Sequence, residues 1–274
     1  MARERSLSPV GRSRTQRLVV TQVRDGAAAR RPDDLIVEEP LTIQLDGVTV
    51  ATTMRTPGND FELAVGYCHS EGLLAGAPVE QVRYCGLGSA AATEFNVVSV
   101  SSGGRAPTPS PRLTVTSSSC GWCGSDQLDE LVARLAPRLA YDPVDTDLYA
   151  RLPALVAPHQ PLFEATGAVH ASAAFAADGH VLATREDVGR HNAVDKVVGA
   201  LALAGQLPAA GLGLFVSGRA SVEMVQKAWA AGFGTLVAVS APTALAVQAA
   251  RRANLVLAGF VRDGALNVYA PERS

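Results

Sequence analysis

LGLFVSGRASVEMVQKAWAAGFGTLVAVSAPTALAVQAARRANLVLAGF, Leu212 to Phe260, holds three short apolar runs separated by two amphipathic ones. The runs LGLFV, TLVAVS and LVLAGF are nearly continuous in apolar residues, as strands covered on both faces are. Between them, ASVEMVQKAWAAG and TALAVQAARRA space their apolar residues for one face of a helix. Together they predict a β-α-β-α-β series, hence a parallel sheet between two helical layers: a three-layer α/β domain over residues 167–274. Just upstream, AVHASAAFAADGHVLAT flanks Asp178-Gly179 with strand patterns and predicts a hairpin. After it, Val194, Val197, Val198 and Leu201 fall at helical spacing.

Toward the N-terminus the pattern changes. LTIQLDGVTV alternates around Asp46-Gly47, a hairpin signal. TPGND offers Asn59 or Asp60 as a cap for a helix carrying Phe61, Ala64, Val65 and Cys68, with Gly72 near its end. EFNVVSV reads as a strand, and the Gly/Pro/Ser-rich SSGGRAPTPSPR as a loop or linker. These assign a smaller α+β module to residues 32–112. Residues 1–31, rich in arginine and small polar groups, are expected to form a disordered arm. Residues 113–166 are expected to hold a short strand over RLTVT, the segment SSSCGWCG, a helix over SDQLDELVARL and further connecting helices.

The 274 residues are 47% hydrophobic and 18% charged, with a formal net charge of −2. That balance fits a folded globular chain and argues against a broad phosphate-covering face, so no nucleic-acid partner is expected. No run of about 18 apolar residues and no secretory-type N-terminus are present, which predicts a cytoplasmic protein without membrane contact. The four cysteines, Cys68, Cys85, Cys120 and Cys123, are too few and too unevenly spaced for a disulfide framework. Cys68 has an ordinary place in a helix core.

Chemistry concentrates in three places. SGRAS sets Ser217 and Arg219, and SAPTA sets Ser240 and Thr243, at successive strand-to-helix junctions, where unpaired helix N–H groups favour anions. GFVRDGALNVY adds Arg262 after the last strand. The junctions together point to a phosphate-bearing ligand, although each alone is equally an ordinary capped turn. Neither a GxGxxG nor a P-loop pattern occurs. REDVGRHNAVDK packs Glu186, Asp187, Arg190, His191, Asp195 and Lys196 around one helix start. It reads as a solvated, salt-bridged start, with His191 also positioned for a ligand contact. His170 in TGAVHA reads either as a core histidine or as a site residue.

Cys120 and Cys123 admit three readings. A zinc site needs a second close pair of ligands, which Cys68 and Cys85 do not form, so no metal site is expected. A CxxC thiol-disulfide oxidoreductase is chemically reasonable, because a helix N-terminus activates thiols. So is a persulfide carrier, which needs an activated thiolate on a mobile loop and a second thiol to help release the sulfur. The pair by itself leaves the last two open.

EEPLTIQLDG, TMRTPGNDFELAVGY, SSSCGWCG, TGAVHAS, REDVGRHNAVDKVVG, SGRASVEMVQKAWAAG, VSAPTALAV and GFVRDGALNVY follow one another as in FdhD-type proteins, which the chain resembles from about Asp33 to Tyr269. The resemblance implies sulfur carriers needed for formate dehydrogenase activity: cytoplasmic homodimers with a cytidine-deaminase-like α/β core. These take sulfur from a cysteine desulfurase and pass it to the molybdenum cofactor, a bis-molybdopterin guanine dinucleotide. By position it implies a persulfide on Cys120, with Cys123 as its partner, and a cofactor-binding stretch at Phe260, Val261, Arg262, Asp263, Gly264 and Ala265. The junction residues Ser217, Arg219, Ser240, Thr243 and His191 fit the same ligand. A zinc deaminase is disfavoured, since Ala171 and Ser172 follow His170 where that chemistry needs H-x-E, and the only CxxC precedes it. Ala168 stands where the family pattern commonly has a second glycine.

Overall fold

The computed structural model describes residues 12–84, 94–108 and 135–272. Cys85, Cys120, Cys123 and the strand and helix expected around the cysteine pair lie outside the described residues.

The domain expected over residues 167–274 holds a six-stranded sheet in the order β12-β11-β10-β9-β7-β8. Its elements are β7 (His170–Ala176), β8 (Val181–Asp187), α4 (Arg190–Leu203), β9 (Leu212–Val216), α5 (Val222–Ala231), β10 (Thr235–Ala238), α6 (Ala244–Ala253), β11 (Val256–Arg262) and β12 (Ala265–Ala270). Strands β9, β10 and β11 are parallel, as their apolar runs predict. The β7–β8 hairpin and β12 flank them antiparallel.

One face of this sheet packs on α4, α5 and α6 through a core that includes Val194, Val198, Met224, Val225, Ala249 and Ala250. The other face packs on α2 (Thr146–Val156), whose Leu148, Tyr149, Leu152 and Val156 meet Phe175, Phe215, Val237 and Val261. Cores on both faces make the domain three-layered. A short α3 (Pro161–Thr166) follows α2, so the connecting helices expected before residue 167 are present.

The N-terminal module pairs β3 (Glu39–Leu45), β4 (Val48–Arg55), β5 (Gln81–Tyr84) and β6 (Val97–Ser101) in the order β4-β3-β6-β5, with α1 (Asp60–Ser70) packed on it. The β3–β4 turn is Asp46-Gly47, both with positive φ (46° and 85°), as a two-residue hairpin turn requires. Asn59 precedes α1 but makes no side-chain cap. Asp60 is instead the first helical residue, and its carboxylate accepts bonds from Gly58 N–H, Arg55 and Tyr84.

Residues 12–31 are not a disordered arm. β1 (Thr15–Arg24) and β2 (Ala27–Ile36) form an antiparallel ribbon turning at Asp25-Gly26, again with positive φ (49° and 79°). The average composition of the segment hid a local signal, namely Asp-Gly preceded by the β-formers Val19, Val20, Thr21 and Val23. Arg17 donates two bonds to Asp34 across the ribbon, at 2.8 and 2.6 Å.

The module and the domain join where α1 crosses α4. Gly66 and Gly199 permit the approach: a Cβ on Gly66 would stand 1.8 Å from Asp195 O, and one on Gly199 would stand 1.8 Å from Glu62 O. A backbone oxygen cannot yield as a flexible side chain does. Gly199→Ala is therefore expected to destabilise the chain by about 2 kcal/mol or more, read as a fall in denaturant midpoint. An unchanged midpoint would show that the helices can separate without cost.

Candidate functional site

The parallel strands β9 and β10 end in SGRAS and SAPTA, and the backbone ties these two loops together. Ala220 N–H donates to Ala241 O, Thr243 N–H to Ala220 O and Phe260 N–H to Ser240 O, at 3.0–3.2 Å. Ser217, Ser240 and Phe260 are thereby brought to neighbouring positions. Gly259 allows the last approach, because a Cβ there would meet Pro242 Cδ at 2.9 Å. Ser217 Oγ accepts from Ala171 N–H at 2.9 Å and stands 3.5 Å from His170 Nδ1. Burial, reinforced by Arg190, holds the His170 imidazole below its usual pKa, so near neutrality it is an uncharged donor and acceptor.

His170 and Ser217 line an open cavity of about 540 Å³, together with Phe163 and Gln160, with Gly167 and Ala168 before β7, and with Phe215 and Val239 from the sheet. Mixed apolar walls and a few convergent polar groups are what a small-molecule site needs. Beside it, a Cβ on Gly218 would stand 3.4 Å from the His170 ring and 3.7 Å from Arg190 Cδ, which places the N-terminus of α4 near the end of β9. Arg190 Nε, at the start of α4, and Ser221 Oγ, just before α5, are buried without a hydrogen-bonding partner among the described residues, and neither residue lines the cavity. Buried polar atoms normally find partners, so these two stand out in this structure.

Other anticipated residues fall in different places. Arg219 is exposed, beside Gly218. Thr243 Oγ1 caps α6, accepting from Ala246 N–H at 3.2 Å, so its hydroxyl is already used. The FVRDGA stretch does not follow the last strand but spans the β11–β12 hairpin, turning at Asp263-Gly264 with φ of 53° and 77°. Arg262, Asp263, Gly264 and Ala265 are exposed at that turn, and Val261 is buried against α2. Phe260 sits at an irregularity in the pairing with a positive φ of 55° and is 48% exposed, facing outward beside SAPTA.

REDVGRHNAVDK is not a solvated helix start. Glu186 and Asp187 end β8 and are buried with Asp195 and Lys196. Lys196 Nζ lies 2.7 Å from Asp187, both side chains fully buried, and donates to Thr56 O at 3.0 Å. Asp187 also accepts from Thr56 N–H, Gly189 N–H and Asn192 Nδ2. Glu186 accepts from the N–H groups of Leu162 and Phe163, fixing the start of α3 where it walls the cavity. Burial raises the Glu186 pKa, and Arg14 from the N-terminal segment opposes that rise. These partners stand far apart in sequence, which is why residue spacing hid the burial.

His191 does not line the cavity. It lies on the far side of α4 among Lys227, Glu223 and Glu71. Lys227 pairs with Asp195 at 2.9 and 3.0 Å and with Glu71 at 3.2 Å, and these carboxylates outweigh burial and keep it protonated. Cys68 is buried in the α1 core and its thiol is pushed up to about 12 by burial, which makes it inert. Among the described residues no three His, Cys, Asp or Glu side chains are grouped to hold a metal ion, and no helix is long and apolar enough to cross a membrane.

Residues 36–274 match the model of the FdhD/NarQ family. The chain belongs to the FdhD/NarQ family. It is 45% identical over 268 residues to the sulfur carrier protein FdhD of Streptomyces avermitilis, covering 94% of each chain. It is also 45% identical over 267 residues to the FdhD protein of Mycolicibacterium paratuberculosis, covering 93% of this chain and 96% of that one. The fold matches a crystal structure from Desulfotalea psychrophila described as a formate dehydrogenase accessory protein, with TM-score 0.73 at 23% identity over 94% of this chain and 98% of that one. Family membership agrees with the motif order from EEPLTIQLDG to GFVRDGALNVY.

The His191 environment carries a pH signature. Burial first, then Lys227 and Arg190, push its pKa down to about 4, from 6.5 for a free imidazole. As pH falls below 6.5 the unfolded chain takes up this proton before the folded one does. Folding stability is therefore lost progressively down to about pH 4. His191→Gln is expected to remove this part of the acid sensitivity, seen as a shallower stability-versus-pH slope in urea titrations. Parallel slopes would contradict the assignment.

Proposed function

We propose that the chain is a sulfur carrier that accepts sulfur from a cysteine desulfurase and delivers it to the molybdenum cofactor before formate dehydrogenase receives it. The acceptor in this reading is a bis-molybdopterin guanine dinucleotide, bound on a core of the cytidine-deaminase-like kind. One observation carries the reading: a cavity of about 540 Å³ at the ends of β9 and β10, into which His170 and Ser217 bring their polar groups. Its walls can take a flat heterocycle, and the exposed Arg219, two residues after Ser217, can offer its guanidinium to a phosphate. The relatives' name, sulfur carrier protein, supports the carrier part of this reading.

The chemistry falls to Cys120 and Cys123. The Cys120 thiolate attacks the outer sulfur of the donor persulfide, the donor S–S bond breaks, and the donor leaves as a thiolate. Cys120 then holds the sulfur as Cys120–S–SH. Attack by the Cys123 thiolate on Cys120 Sγ expels the outer sulfur as hydrosulfide and leaves a Cys120–Cys123 disulfide. The two electrons gained by the released sulfur come from oxidation of the cysteine pair to that disulfide, and a dithiol reductant then returns the pair to thiols. His170 and Ser217 bind and orient the acceptor; no proton transfer is required of either.

Incubation with a desulfurase and cysteine is expected to leave cyanide-labile sulfur on the wild-type chain, with loading lost in Cys120→Ala. Equal loading of that variant would overturn the assignment. In the same preparation, guanosine diphosphate is expected to slow amide exchange in the segments around Ser217, Ser240 and Phe260. Unchanged exchange at saturating nucleotide would remove the acceptor site from the proposal while leaving the carrier cysteine intact.

A further inference from the structure

Three buried carboxylates, Asp60, Glu186 and Asp187, gather where the N-terminal module joins the α/β domain. A carboxylate taken out of water needs a cation nearby as well as hydrogen bonds. Asp60 has Arg55, at 3.0 and 3.1 Å, and Asp187 has Lys196, at 2.7 Å. Glu186 forms no ion pair among the described residues; its two oxygens accept from Leu162 N–H at 2.9 Å and Phe163 N–H at 2.7 Å.

Arg14 supplies the third cation. It stands just before β1, at the root of the ribbon, where its carbonyl accepts from Val37 N–H at 2.9 Å. Its side chain is partly buried, and Nε has no hydrogen-bonding partner among the described residues. Burial lowers the Arg14 pKa, and the charges of Glu186, Asp187 and Asp60, in that order, oppose the fall. The guanidinium stays charged. Asp60 and Asp187 are already paired, so Glu186 is the acid left for it. Seen from Glu186, the facing cations are Arg14 from the N-terminal segment and Lys196 from α4, and Lys196 is committed to the adjacent Asp187.

We propose that Arg14 is a positioning residue for the cavity: it provides the counter-charge of Glu186 and, through that carboxylate, holds the start of α3 and with it the Phe163 wall. Glu186 accepts from both N–H groups only as a carboxylate; once protonated, it turns a donor toward one of them. Loss of Arg14 then loosens α3 where it carries Phe163. β2 packs on α3 as well, so a segment before the N-terminal module braces a cavity lined by residues between 153 and 239. The inference concerns the wall and is independent of the acceptor assigned to the cavity.

The test is amide exchange of the full chain from about pH 5 to about pH 8, read as protection of Leu162 and Phe163 after correction for intrinsic rates. Circular dichroism confirms that every variant is folded. Burial raises the Glu186 pKa, while the two N–H groups, Arg14 and Lys196 hold it down. Wild-type protection is therefore expected to fall as the pH is lowered. Arg14→Gln removes one of the restraints, so its protection is expected to fail at a higher pH and to be about tenfold lower under mildly acidic conditions. Arg14→Lys keeps the charge and is expected to restore most of the protection. Glu186→Gln is expected to lose protection at every pH, and adding Arg14→Gln to it is expected to cost nothing more. Arg17→Gln, which breaks the Arg17–Asp34 pair elsewhere on the ribbon, is expected to match the wild type. Wild-type protection that is constant with pH overturns the proposal, as does a profile unmoved by Arg14→Gln. Failure of Arg14→Lys to rescue, additive loss in the double variant, or equal loss in Arg17→Gln overturns it as well.

Discussion

The arrangement depends on one buried ion pair, Lys196 with Asp187, both completely removed from solvent. A charge pair this deep repays its desolvation only when its remaining hydrogen-bonding capacity is filled. Here it is: Thr56 gives its N–H to Asp187 and its carbonyl to Lys196, while Gly189 and Asn192 supply further bonds to Asp187. Thr56 belongs to the loop between β4 and α1, and Asp187 and Lys196 belong to the β8–α4 region. The pair is thus a joint between the N-terminal module and the α/β domain. Removing one partner from such a site costs about 3–5 kcal/mol, because the other is left buried and unpaired.

The candidate site inherits its geometry from that joint. Asp187 pairs in register with His170 across β7 and β8, so the joint sets the strand position that presents His170 to the cavity. Asn192 and Gly189 on Asp187 fix the start of α4, and this brings the Arg190 stem against Gly218. Glu186, one residue away, holds the start of α3, which supplies Phe163 to the cavity wall. Backbone bonds between the SGRAS and SAPTA loops tie together the ends of β9 and β10, where Ser217 faces the cavity.

What could be read from the sequence was local. The β-α-β-α-β series and the hairpins at Asp46-Gly47 and Asp178-Gly179 rest on residues within a few positions of one another, so periodicity and turn chemistry sufficed. Ser217 and Ser240 were legible for the same reason, as strand ends of an open α/β sheet. The burial of Glu186, Asp187 and Lys196 was not, since Thr56 and Asp187 lie 131 positions apart and nothing in either motif names its partner. The same limit applies to Phe163 and Gln160, ordinary members of a connecting segment until the fold sets them over His170. The ribbon was missed differently: its turn dipeptide Asp25-Gly26 was present, but arginine-rich composition outweighed it.

The central claim is that a sulfur held on Cys120 reaches an acceptor bound at the His170 and Ser217 cavity. The most direct measurement follows radiolabelled sulfur from the loaded chain to the molybdenum cofactor in a single turnover. The account predicts that label leaves the protein with the cofactor, and that excess guanosine diphosphate slows its departure by occupying the cavity. Label that remains on the protein in the presence of cofactor, or departs at a rate indifferent to guanosine diphosphate, would contradict it.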